Sequence, residues 1–546
     1  MNHSPSRRHF FKSTGAVSAA AVLGSTVGLT ACGSSSSDAA PADPLLALTA
    51  TQVVANIKNG TLKAETYMVA MIARAKAASG LNAMIFLNED EALKAAKAVD
   101  AARTAGTPLG ALAGLPIVVK DNINTKDMKT TGGTSSLRNF QPTSNAPSLQ
   151  KLLDAGAIIL GKSNLHEWAF GITTTNFTLG TDQSGVATRA GKNPYDTSRI
   201  PGGSSGGNGI AIAARFAPAG LGTDTGGSTR IPASFCGIAG FRPSVGNGAG
   251  NGRRYADGVN DALPISTTRD TLGPMARTVA DIALLDAVIT GGTVPTAKAL
   301  KDLKIGLPSA FWADLDDSVK PVADAAKKKL ADAGVVFVEA SSADLAGIMA
   351  LNGSMSFPIA LHEPVAAIPA YLTANGAPVT TVAAVIAGLA SPDVQGAFKA
   401  IAGDVFGPGP GGNGAYDAAM VPVTGGRAQL QNLYTAYFAA AGVECVLFPT
   451  TLLAAPKIDP INGSHQLSYT VGGVAQTGKD TFGTCIRNSD PCTNAGLPSL
   501  SIPAGMTAGG LPVGMEIDGK LGDDSNLLAI GMAIETVWGS LPAPTI

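Results

Sequence analysis

A chain of 546 residues has room for a large core and, by size alone, for two to four domains or one long α/β unit. Hydrophobic residues make up 45% and charged residues 14%, with 66 Gly and 34 Pro, which describes a globular, turn-rich protein and excludes a low-complexity chain. With 39 Lys and Arg against 40 Asp and Glu, no overall basic surface exists to recruit nucleic acid or an anionic membrane.

Residues 1–32 read as an export signal. Ser6-Arg7-Arg8-His9-Phe10-Phe11-Lys12 precedes a small-residue apolar run over 16–30, and the pair Arg7-Arg8 with Phe10 and Lys12 resembles a twin-arginine signal, which implies export of an already folded protein. The run is too short and too rich in Gly, Ser and Thr for a membrane span. Its end, Leu29-Thr30-Ala31-Cys32-Gly33, resembles a bacterial lipoprotein box. In that reading Cys32 becomes the lipidated first residue and 33–44 a flexible tether, which puts the protein at a membrane surface. In the other reading, ordinary cleavage near the same place leaves it periplasmic. Residues 45–546 are expected to form a single catalytic domain.

In chain order, apolar spacing over 48–78, broken at Asn59-Gly60, predicts two helices, and a further helix is expected over 89–105. Leu115-Pro116-Ile117-Val118-Val119-Lys120 reads as a strand that opens on proline and closes on lysine. Burying that ammonium is costly unless it is paired or loses its proton; Lys120 is thus a base with lowered pKa or an ordinary strand-end lysine. A helix over 148–154, a strand over 157–160 and a turn leading to a helix over 161–168 follow. An alanine-rich helix is expected over 209–219, then helices over 278–288 and 319–333 and strands near 304–308 and 335–338. Residues 404–415 cannot hold regular structure and form either a loop at the site mouth or a surface loop. Strands over 446–450 and 499–502 and a helix over 526–537 close the chain. The alternation predicts an α/β fold, a central mixed sheet covered by helices on both sides.

Two glycine-rich loops stand out: Gly202-Gly203-Ser204-Ser205-Gly206-Gly207 and Gly222-Thr223-Asp224-Thr225-Gly226-Gly227-Ser228. Each presents a serine on nearly bare backbone, where free amides can hold an oxyanion. The first also fits the G-x-S-x-G elbow of α/β-hydrolases, but His166, His362 and His465 lie in no catalytic-looking turn. Cys236 and Cys445 read as buried thiols. Cys485 and Cys492, in a polar segment of an exported protein, either bridge one surface loop or stay free. No Cys or His cluster has ligand spacing, so no metal or other cofactor is expected.

Gly114-Leu115-Pro116-Ile117-Val118-Val119-Lys120-Asp121-Asn122-Ile123, Pro201-Gly202-Gly203-Ser204-Ser205-Gly206-Gly207, Gly222-Thr223-Asp224-Thr225-Gly226-Gly227-Ser228-Thr229-Arg230-Ile231-Pro232-Ala233 and Asn494-Ala495-Gly496-Leu497-Pro498 together resemble the amidase signature family, over about residues 48–537. The resemblance implies a triad in which Ser228 is the nucleophile, Ser204, after a cis peptide bond from Gly203, is the bridge, and Lys120 is the base. It also implies an oxyanion hole from the amides of Thr225, Gly226, Gly227 and Ser228, with Asp224 and Arg230 bracing the loop. The implied reaction is hydrolysis of a linear carboxamide to an acid and ammonia or amine through a seryl acyl-enzyme, with no obligate protein partner. The segment His362-Glu363 to Tyr371-Leu372 loosely resembles peptide amidases, which points to peptide or other small amides. Aryl amides, carbamates and esters suit the same triad, and an inactive exported binding lipoprotein is the reading from another class. Pocket walls are expected from 130–136, 340–420 and the region of Cys485.

Overall fold

The computed structural model describes residues 43–178, 190–246, 252–339, 345–459 and 466–546; the export signal, Cys32, most of the tether and His465 lie outside them. Regular structure begins at Pro44, inside the expected tether, with Asp43 capping a first 3-10 turn. The predicted helix pair follows as Ala50–Asn59 and Ala64–Ala77. Thr49 and Gln52 form a reciprocal capping box on the first, and Gly60 ends it in the left-handed conformation.

The strands are β1 (Met84–Leu87), β2 (Pro116–Lys120), β3 (Ile158–Ser163), β4 (Ala219–Asp224), β5 (Ala239–Arg242), β6 (Thr271–Ala276), β7 (Lys304–Gly306), β8 (Val336–Val338), β9 (Cys445–Pro449), β10 (Gln466–Val471), β11 (Val474–Asp480), β12 (Ser499–Met506) and β13 (Pro512–Gly519). Eleven of them form one mixed sheet in the order β1-β3-β2-β4-β6-β5-β12-β13-β9-β7-β8, while β10 and β11 pair as a separate hairpin. Pairing is parallel between β3, β2 and β4 and again between β9, β7 and β8; the middle is antiparallel. Every residue of β2 and β4 is buried, as expected of strands covered on both faces. The predicted α/β architecture, a mixed sheet flanked by helices, is the one observed.

Several local expectations are corrected. The alanine-rich helix spans Gly206–Ala213 and stops before Arg215, whose φ is 67°. The residues after it enter β4, so Gly222-Thr223-Asp224 is strand and the second glycine loop shrinks to 225–229. Instead of a helix over 161–168, β3 runs to Ser163 and a single 3-10 turn, Glu167–Ala169, follows, with buried Trp168 at φ 55°. The 27-residue helix Ile348–Ala374 holds three prolines, 358, 364 and 369. Proline removes a helix hydrogen bond and disfavours this assignment from sequence, yet Met355 and Ile359, four apart, are buried in one apolar cluster, and Ile368, Tyr371 and Leu372, three and four apart, in another.

Cys485 and Cys492 are both free thiols, the second of the two alternatives left open by the sequence. Cys485 sits on helix Thr481–Ile486, packed with Ile172 and Leu452; Cys492 sits on helix Asp490–Ala495, packed with Phe448 and Tyr434. Two separate helices carry the two sulfurs into different clusters, so the short sequence spacing does not bring them together.

Candidate active site

β2 and β4 are parallel neighbours in register, Val119 opposite Leu221, so both chains leave the sheet on the same side. Lys120 ends β2, and Thr223 and Asp224 end β4. Between these strands in sequence, the cis Gly203–Ser204 bond precedes helix Gly206–Ala213, which lies so close to the chain after β3 that a Cβ on Gly207 would meet Asn164 O at 2.2 Å. The sheet therefore delivers Lys120 to Ser204. Fully buried Lys120 donates from Nζ to Ser204 Oγ at 2.8 Å and to Thr223 Oγ1 at 2.7 Å, and Asn122 Nδ2 donates to Thr223 Oγ1 at 3.0 Å. Burial lowers the pKa of Lys120 to about 7, against the opposing pull of Asp224 and Asp270. Ser228 is at the loop beyond: Ser205 N–H donates to Ser228 O at 3.2 Å, and Ser228 itself faces a cavity.

A buried charge cluster braces the loop of Ser228. Arg230 Nη2 and Arg242 Nη1 both reach Asp224 Oδ1, at 3.0 and 3.1 Å, and Arg230 Nη1 reaches Glu516 Oε1 at 2.5 Å. Burial alone would raise the pKa of Asp224; the two guanidiniums hold it well below the usual carboxylate range. Removing one partner from such a buried group costs about 3–5 kcal/mol. Cys492, Glu516 and Asp518 also converge here, and Arg230, with Nη1 at 3.1 Å from Cys492 Sγ, supplies the positive charge among them.

The four amides expected in the oxyanion hole are not equivalent. Gly227 N–H donates to Asp224 Oδ1 at 3.0 Å, so this donor is already engaged. Gly227 has φ 124°, and a Cβ there would meet Ser489 Oγ at 2.2 Å, which restricts the position to glycine. The other three N–H groups, of Thr225, Gly226 and Ser228, donate to no protein group among the described residues. Each shares a peptide unit with an anchored carbonyl: Asp224 O accepts from Arg242 Nη1 at 2.8 Å, Thr225 O from Arg269 Nε at 3.1 Å, and Gly227 O from Ile231 N–H at 2.8 Å. Because N–H and C=O of a trans peptide point opposite ways, fixing the carbonyls fixes the direction of the free donors.

Ser228, Thr225 and Gly226 line a cavity of about 580 Å³ whose walls are largely apolar, with Phe170, Ile172, Ile265, Phe357, Phe482 and Ile486 among them. Phe357 and Phe482 lie 6.0 Å apart. The walls come from 169–172, from helix Ile348–Ala374 and the following 392–402 helix, and from the region around Cys485. Two of the three expected sources contribute; 130–136 does not. Thr130 and Thr131 instead bond Lys162 and Asp121 beneath the site. Residues 404–414 do not line the cavity either, and Asp404 is tied to His362 at 2.6 Å.

Compared with known proteins, residues 67–528 match the family model described as Amidase. The chain belongs to the amidase family. Among its curated relatives are mandelamide hydrolase of Pseudomonas putida, 38% identical over 91% of this chain and 93% of that protein, and indoleacetamide hydrolase of Agrobacterium vitis, 40% identical over 85% and 91%. The native peptide amidase of Stenotrophomonas maltophilia matches in structure with a TM-score of 0.69 at 27% identity, over 91% of this chain and 98% of that one. This amidase is accordingly an amide-hydrolysing enzyme. Its residues 4–24 match the twin-arginine translocation signal, which indicates export across a membrane.

Sequence reasoning gave no role to several residues that hold the site of this amidase: Asn122 and Thr223, inside the motifs, around the lysine, and Arg242, Arg269 and Glu516, outside them, around the nucleophile loop. His166, buried, donates its backbone N–H to Ser204 O at 3.2 Å, while its ring bonds Thr173 and faces Asp393 at 3.1 Å, and neither ring nitrogen has a serine partner among the described residues. Nothing in the sequence around Arg242, Arg269 or Glu516 marks them; the sheet order brings β5, β6 and β13 to the loop.

Proposed function

We propose that Ser228 is the nucleophile of this amidase, with Lys120 as the base acting through Ser204, and with the free amides of Thr225, Gly226 and Ser228 receiving the oxyanion. The observation that carries the reading is the buried hydrogen bond of 2.8 Å between Lys120 and Ser204, two strands' ends from a serine that opens on the cavity. Neutral Lys120 draws a proton through Ser204 from Ser228 as Oγ bonds to the amide carbon. It returns the proton to the nitrogen as the C–N bond breaks and ammonia or amine leaves. Water then attacks the acyl-enzyme by the same route and frees the acid. The lysine must start neutral, which a pKa of about 7 permits. Below that value the protonated amine has no lone pair to accept with, so kcat/KM for a neutral amide is expected to fall about tenfold per pH unit on the acid side. A rate profile between about pH 5 and 9 checks this, and undiminished activity in acid excludes a lysine base.

The acyl group is an aryl-substituted acetyl. Support comes from the names of the relatives, mandelamide and indoleacetamide hydrolases, and from the phenylalanines and aliphatic residues of the cavity wall. Measured kcat/KM for mandelamide, indole-3-acetamide and phenylacetamide is expected to exceed that for a C-terminal dipeptide amide by about tenfold or more, the scale of one methylene's worth of contact in an apolar pocket. The reverse order favours the second reading, a peptide amide, which the structural likeness to a peptide amidase supports. We place the mature enzyme in the periplasm or, with Cys32 lipidated, at a membrane surface; the mass of its first tryptic peptide separates the two.

A further inference from the structure

We propose that Arg269 is a positioning residue for the reaction: its guanidinium orients the Thr225–Gly226 peptide so that the Gly226 N–H is presented to the oxyanion, an inference that rests on the Ser228 reading above. Arg269 is buried and uses all three nitrogens. Nε donates to Thr225 O at 3.1 Å, Nη2 to Asp490 Oδ1 at 2.5 Å and Nη1 to Ser356 O at 3.0 Å. Asp490 is held in turn through Oδ2 by Asn352 Nδ2 at 2.7 Å and Asn494 Nδ2 at 3.2 Å. The ion pair lies directly against the loop, since a Cβ on Gly226 would meet Asp490 Oδ1 at 3.3 Å and Arg269 Nη2 at 3.4 Å.

The next residue holds Thr225 by its side chain. Asp270 Oδ1 accepts from Thr225 Oγ1 at 2.6 Å, while Asp270 Oδ2 accepts the N–H groups of Ile265 and Ser266 at 2.8 and 2.9 Å. Glu363, on the proline-containing helix, accepts from Ser266 Oγ at 2.5 Å and from Thr268 Oγ1 at 2.7 Å. The segment carrying Arg269 is thus pinned to the molecule before it reaches Thr225. A carbonyl bonded to a guanidinium is polarised, and polarisation along the peptide strengthens its N–H as a donor. Arg269 therefore sets both the direction and the strength of the Gly226 donor. It lines the cavity but acts on the reacting oxygen through the backbone.

The test uses the full chain carrying Arg269→Lys, Arg269→Gln or Asp490→Asn. Lysine can reach Thr225 O or Asp490 but not both, and asparagine at 490 loosens the anchor while leaving the Nε bond. For the best amide of the panel, the two Arg269 variants are expected to lose about 10²-fold in kcat, the scale of one oxyanion donor, with KM within about threefold. Affinity for phenylboronic acid, which forms a tetrahedral adduct with Ser228, should fall in parallel with kcat, and affinity for the product carboxylate should not. Asp490→Asn should show the same pattern at about tenfold. Folded Arg269 variants with full kcat, a loss confined to KM, or equal weakening of boronate and product each overturn the proposal. If the Arg269 variants do not fold, Asp490→Asn decides: the kcat and boronate pattern supports the role, its absence removes it. A wild-type enzyme that neither hydrolyses amides nor is labelled at Ser228 by a fluorophosphonate defeats the Ser228 reading instead.

Discussion

Replacing Ser228 with alanine is expected to abolish hydrolysis, by about 10⁵-fold or more in kcat, because loss of the nucleophile in a serine enzyme costs roughly as much as loss of its whole catalytic unit. The substitution is mild for the fold. The backbone carbonyl of Ser228 still accepts from Ser205 N–H, and the buried ion pairs of Asp224, Arg230 and Arg242 do not involve its hydroxyl. The thermal midpoint is therefore expected to stay near that of the wild type, and substrate analogues should still bind. An active, folded Ser228→Ala protein removes Ser228 from the reaction. Trapping the acyl-enzyme with a slow substrate and mapping the modified peptide gives the same answer from the other side.

Lys120→Arg is the second decisive change. Arginine keeps the positive charge and a long side chain but never gives up its proton, so any role for Lys120 as a plain cation survives and a role as base does not. Activity is expected to fall by about 10³- to 10⁴-fold, the range of a lost general base, and Ser204→Ala should fall by a similar factor. Combining Ser204→Ala with Lys120→Arg should cost little more than the worse of the two, since both lie on one proton path. Multiplying losses would mean that the serine and the lysine serve separate steps. Retained activity in Lys120→Arg excludes proton transfer to this residue altogether.

What the sequence disclosed about the site follows from how local each signal is. Lys120 was visible because a β-branched run led by proline ends on a charge, and that signal lies within six residues, Pro116 to Lys120 and its neighbour. The serines were visible because glycine crowds around them. β4 was hidden by the same glycines: Gly220 and Gly222 lower strand propensity, yet a Cβ at 220 would meet Val118 Cγ2 at 2.6 Å and one at 222 would meet Ser205 Oγ at 2.9 Å, so close contact with neighbouring segments demands them. The helix Ile348–Ala374 was hidden by its prolines, since burial in two apolar clusters, one along its first half and one at its end, outweighs the lost hydrogen bonds. Arg242, Arg269, Asp490 and Glu516 were invisible for a different reason. Each is a charged residue whose partner is distant in the chain, and only the order of strands in the sheet, with the segments that lead into them, makes them neighbours.

The four described cysteines bear on how the enzyme must be handled. All are free and buried, and burial pushes each thiol's pKa upward, away from the reactive thiolate. The native core thus acts as a seal. A chain that crossed a membrane already folded would offer no thiolate to an oxidising space on the far side, whereas a chain unfolded there, or refolded in air from aggregates, exposes four sulfurs that have no native partner and every opportunity to mispair. Folding ahead of export would protect this enzyme chemically, and purification from the unfolded state calls for reductant until the core has closed.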